Sequence, residues 1–75
     1  MLVKIFSKEN GFIGLNCYIL NPLIKFSYYQ TSLLERKFFN KNTIGIFVKK
    51  FDSDYDVVYI NNNLFICRTE YIAKL

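Results

Sequence analysis

Histidine and tryptophan are absent from this 75-residue chain; proline occurs once, cysteine twice and glycine three times. Without histidine the chain lacks the commonest general base and a leading metal ligand, and with it any Ser/His or Cys/His nucleophile pair. Two cysteines with no Cys-x-x-Cys spacing do not build a zinc site. Gly11, Gly14 and Gly45 form no phosphate-cradling loop. The longest stretch free of charge, residues 10–24, is 15 residues long and contains Asn10, Asn16, Asn21 and Pro22, whereas a spanning helix needs about 20 mainly apolar residues. Lys8 and Glu9 interrupt the N-terminal apolar run where a secretory signal would continue. The expectation is a chain without enzyme chemistry, cofactor, metal, membrane span or small-molecule substrate.

What is present is apolar and aromatic: 52% hydrophobic residues, with 8 Phe and 6 Tyr. That much apolar surface offsets ordering entropy and excludes a disordered tail. The length suits one domain over residues 1–75. Phe, Tyr, Ile, Asn and Lys make up 39 of the 75 residues, the bias expected of codons rich in A and T. The formal charge of +4 favours acidic or phosphate-bearing partners. Lysine, however, outnumbers arginine 8 to 2, and arginine is the residue suited to bidentate phosphate and base contacts. The charge sits in residues 1–42, while residues 43–75 are neutral. Cys17 and Cys67 each lie in apolar sequence, which reads as buried free thiols in a reducing cytoplasm; a disulfide requires their Cα atoms within ~7 Å.

Residues 2–6 read as a first strand, ended by the turn formers at residues 7–11, and residues 12–20 as a second extended segment with a bend at Gly14. In Ser32-Leu33-Leu34-Glu35 the serine and glutamate fit a capping box, and Leu34 and Phe38 stand one helical turn apart. This spacing predicts a short helix over 33–39. Ile44, Ile46 and Val48 alternate with Gly45, Phe47 and Lys49, as a half-buried strand requires. Asp52, Ser53 and Asp54 break that strand. Residues 55–60 and 64–68 then form a hairpin across Asn61-Asn62-Asn63, a connection tolerant of positive φ. One turn at residues 69–71 leads to a closing strand at 72–75. Asp52, Asp54 and Asp56 alternate like the start of a calcium loop, but Val57 stands where such a loop needs glycine and Asn63 where it needs glutamate.

From Gly45 onward the glycine-led strand, the acidic loop, the strand-loop-strand hairpin, the single turn and the last short strand resemble the C-terminal half of small SH3-like barrels. The resemblance rests on strand rhythm over about 30 residues. It implies a mostly β, antiparallel barrel with one short helix and no particular ligand. The alternative is an α+β fold, one helix packed on a sheet of four or five antiparallel strands.

Two surfaces are candidates for binding. Tyr55, Val57 and Tyr59 share one hairpin face, joined by one or other of the adjacent Tyr28 and Tyr29, and tyrosine is favoured at protein interfaces. Lys25, Arg36, Lys37, Lys41, Lys49 and Lys50 interleave with aromatics and could grip a nucleic-acid strand. The leading expectation is a non-enzymatic module acting by protein–protein interaction. Its size and composition suit a phage or mobile-element accessory protein that inhibits or redirects a host complex. The alternatives are a nucleic-acid-binding barrel on a ribonucleoprotein and a structural subunit of a larger complex.

Overall fold

In the computed structural model residues 1–7, 11, 13–19 and 36–75 are described. They form seven strands: β1 Leu2–Ile5, β2 Gly14–Ile19, β3 Arg36–Asn40, β4 Ile44–Lys50, β5 Tyr55–Ile60, β6 Asn63–Arg68 and β7 Ile72–Lys74. A 3-10 turn, Thr69–Tyr71, precedes β7. All seven pair antiparallel in one sheet of order β3-β2-β6-β5-β4-β1-β7. The protein is mostly β, as its period-two segments require.

Two features depart from expectation. The sheet is open and not a closed barrel: β2 occupies the free edge of β6, β3 extends it, and β3 and β7 remain as two unjoined edges. No α-helix occurs among the described residues, and the span expected to be helical is a strand from Arg36 onward. The capping residues 32–35 lie outside the described residues. For the rest, β-favouring Phe38 and Phe39 gain a full ladder to β2, Phe38 opposite Asn16 and Phe39 opposite Leu15, and that pairing outweighs weak local helix propensity. No described helix is long and apolar enough to cross a membrane.

The core lies on the inner face. Val3 and Ile5 of β1, Leu15 and Cys17 of β2, Phe39 of β3, Val58 and Ile60 of β5, and Phe65 and Cys67 of β6 form one buried cluster. Strands from both ends of the order meet in it, so the sheet must curl. Phe39 and Phe65 meet edge to face with ring centroids 4.9 Å apart, a favoured aromatic geometry. On β4 the inward side chains are buried Gly45 and half-buried Phe47, while Ile44, Ile46 and Val48 are exposed. Hydropathy alone would bury the β-branched side. Gly45 decides otherwise, because a Cβ there would come within 2.7 Å of Ile60 Cγ1 and 2.8 Å of Val58 Cγ1.

Cys17 and Cys67 are joined as a disulfide, their Cα atoms 4.8 Å apart. Both are fully buried. The pairs Tyr18↔Ile66 and Ile19↔Phe65 place them directly opposite each other on β2 and β6, at the short separation of a non-hydrogen-bonded pair. The expectation of free thiols is corrected, and the argument from free thiols to a reducing compartment loses its premise. Fifty positions separate the two in sequence, which the chain could not disclose because only tertiary pairing brings them together. The loop they close corresponds to about 4 kcal/mol in the chain-entropy account. Denaturation curves recorded with and without reductant should differ by that order, and coincident curves would show that the link is not formed.

The β5–β6 turn is as tight as expected. Ile60 pairs with Asn63, so only Asn61 and Asn62 make the loop, with φ of 50° and 68°. Two left-handed residues in a two-residue hairpin define a type I′ turn, where asparagine is tolerated and β-branched residues are strained. Replacing both with valine should lower stability by about 2–4 kcal/mol in urea denaturation, and Asn62→Gly should be close to neutral.

Candidate functional site

Antiparallel register dictates which side chains share a face, because directly opposite residues project the same way. Leu2 opposes Ile46, Ile46 opposes Tyr59 and Tyr59 opposes Leu64. These four residues therefore form a transverse row across β1, β4, β5 and β6 on the outer face. Their exposure runs from 37% at Leu64 to 53% at Leu2. Ile44 and Val48, also exposed, flank Ile46 along β4. Most singly exposed apolar residues carry no meaning, but a contiguous set is a mark of an interaction site.

The expected tyrosine face is split by this geometry. Tyr59 lies in the row, 39% exposed. Tyr55 and Val57 share its face but are buried, at 8% and 1%, and stand outside the main cluster with Ile66. Val57 is the small member of its neighbourhood, with tyrosines two residues away on either side and Lys49 and Ile66 opposite it. Tyr28 and Tyr29 fall outside the described residues. Sequence reading missed Leu2, Ile44, Ile46 and Leu64. The signal that could have found them was Gly45, whose lack of a side chain marks its own side of β4 as the crowded one.

The basic residues do not converge. Lys25 is outside the described residues. Arg36 and Lys37 are successive on edge strand β3 and so point to opposite faces; Lys41 lies in the turn after it. A β-bulge between Phe47 and Lys49 shifts the register so that Lys49 opposes Val57 on the outer face and Lys50 opposes Asp56 on the inner one. Lys50 is committed there: its Nζ lies 2.9 Å from Asp56 Oδ1 and donates to Thr69 Oγ1 at 2.8 Å, while Thr69 Oγ1 donates to Asp56 Oδ1 at 2.8 Å. Asp56 is buried, which its place in an acidic run did not suggest. Asp52 is also structural, its Oδ1 accepting from the backbone N–H groups of Asp54 and Tyr55 at 2.8 and 3.0 Å. Arg68 on the outer face donates to Glu70 at 2.9 Å, and that carboxylate raises its pKa further.

Among the described residues the outer face holds Lys4, Lys49, Arg36 and Arg68 but no carboxylate at an outward strand position. The arrangement suits an apolar contact with a cationic border. No family model, no curated protein and no solved structure matches the chain.

The two hairpin tyrosines should separate cleanly by mutation. Tyr55→Ala empties a buried site and should cost roughly 3 kcal/mol of stability, whereas Tyr59→Ala should cost under about 1 kcal/mol. Thermal melts of the two variants check this, and equal losses would contradict the exposure of Tyr59.

Proposed function

We propose that the chain is a non-enzymatic binding module that docks a partner protein on its outer face. The single observation behind this reading is the register-aligned row Leu2, Ile46, Tyr59 and Leu64, exposed across four neighbouring strands. Burying such a row on a partner removes apolar surface from water at about 25 cal/mol per Å², and the Tyr59 hydroxyl, which donates to Asn62 Oδ1 at 3.3 Å, can still accept from a polar group at the rim. The occupant is a protein segment with aliphatic side chains flanked by carboxylates, since the cations Lys4 and Lys49 border the row and, among the described residues, no outward strand carboxylate opposes them. Charge of this kind steers encounter and sets orientation more than it adds affinity.

The SH3-like reading of the fold belongs to the same proposal. Its support is the strand run β7-β1-β4-β5-β6 with a 3-10 turn just before the last strand, the β2–β3 hairpin standing where the resemblance expects a long first loop. An accessory role that inhibits or redirects a larger complex fits a small module of this type. A nucleic-acid role is less favoured, because the row is mainly aliphatic and strand binding works by stacking bases on rings.

Cross-linked partner capture by the full chain should be lost with Ile46→Asp and weakened about 30-fold, or 2 kcal/mol, with Tyr59→Ala. Capture should survive nuclease and Lys41→Glu. Capture indifferent to Ile46→Asp, or abolished by nuclease, would overturn the proposal.

A further inference from the structure

The inner face carries a second feature, remote from the docking row and independent of it. Beyond the core cluster, β1, β4, β5 and β7 leave an open pocket of ≈ 320 Å³ lined by Met1, Val3, Phe47, Lys50, Asp56, Thr69, Ile72 and Lys74. Small-molecule sites are typically concave and mainly apolar, of about 300–1,000 Å³, with a few placed polar groups. This pocket sits at the lower end of that range. Its apolar lining includes Val3, Phe47 and Ile72, and its polar groups are Lys50, Asp56, Thr69 and Lys74.

Those polar groups are unequal in what they have left to offer. Asp56 Oδ1 already accepts from Lys50 Nζ and Thr69 Oγ1, and Thr69 Oγ1 in turn accepts from Lys50. An ammonium has three donors. Lys50, its side chain 52% exposed, uses two of them in this triad and leaves one N–H over. Lys74 stands opposite Val3 on β7, and its ammonium has no ion-pair or hydrogen-bond partner among the described residues. The lining thus holds two cations against one carboxylate, so its net charge is positive and its spare hydrogen-bonding capacity is donor capacity. A cationic ligand would meet two like charges, and a neutral apolar one would leave the Lys74 ammonium and the third N–H of Lys50 unused.

We propose that this pocket binds an organic carboxylate with a compact apolar body, the carboxylate held between Lys50 and Lys74 and the body resting on Val3, Phe47 and Ile72. Lys50, already drawn to the pocket by Asp56 and Thr69, acts as the anchor. Lys74 is the adjustable second contact. The same chemistry is offered by a free aryl or alkyl acid and by the C-terminus of a peptide ending in an apolar residue.

The test is titration of the full chain with 2-naphthoate, followed by amide shifts in ¹H–¹⁵N spectra. Saturable shifts should centre on Val3, Phe47, Lys50, Thr69, Ile72 and Lys74. The cation 2-naphthylmethylammonium, which carries the same rings, should give none. Lys74→Glu should weaken naphthoate at least tenfold without moving the thermal melt, with Lys74→Gln intermediate; Lys41→Glu, the same charge change outside the pocket, should leave affinity unchanged. Peptides ending in phenylalanine, free or amidated at the C-terminus, separate the two sources: binding of the free form alone assigns a chain terminus, and naphthoate without either peptide assigns a small acid. Equal binding of the cation, indifference to Lys74→Glu, or shifts confined to Ile46 and Tyr59 would overturn the proposal. Failure here leaves the docking row untouched, because the two lie on opposite faces.

Discussion

The register of the β5–β6 hairpin is the constraint on which the rest depends. Its two-residue turn permits one alignment, Ile60 opposite Asn63 and so on to Tyr55 opposite Arg68. A slip of one residue would turn Phe65 and Cys67 of β6 away from the face on which Val58 and Ile60 of β5 meet the core. Cys67 would then face away from Cys17, and Asp56 would lose Thr69. The outward row exists only because the same alignment carries Tyr59 over Leu64. Core, disulfide, buried carboxylate and exposed row are four readings of one pairing.

The β-bulge on β4 is the second point of control. With a regular ladder, Lys49 would oppose Asp56 and Lys50 would point outward. The extra residue reverses them, sending one lysine to each face. The inner lysine becomes part of a hydrogen-bonded triad and the outer one remains a solvated charge beside the apolar row. Two adjacent, chemically identical residues thereby take unrelated tasks. Their separation is also why the basic residues of this chain do not add up to a single phosphate-binding track.

Much of the strand pattern was legible because period-two alternation and asparagine-rich turns are local signals. The hairpin, its positive-φ turn, the 3-10 turn and the closing strand follow from residues 55–75 alone. Arg36–Asn40 was misread because a helix-like spacing of Leu34 and Phe38 is cheap to satisfy, whereas the strand state is decided by pairing with β2, far away in sequence. The disulfide was illegible for the same reason. Of the candidate site only Tyr59 was found. Which face of β4 and β5 is covered depends on how the sheet curls, and alternation reports two faces without saying which one turns inward. Gly45 held that information, in the room it leaves for Val58 and Ile60.

The disulfide also changes what a break in the backbone means. Cys17 and Cys67 bracket most of the chain, so a peptide bond cut anywhere between them yields two pieces that remain one covalent molecule. Each piece keeps its half of the β2–β6 pairing. A protease acting on a loop within that interval would alter the connectivity of the protein without releasing a fragment, and the separation of the pieces would wait for a reductant able to reach two sulfurs buried in the core.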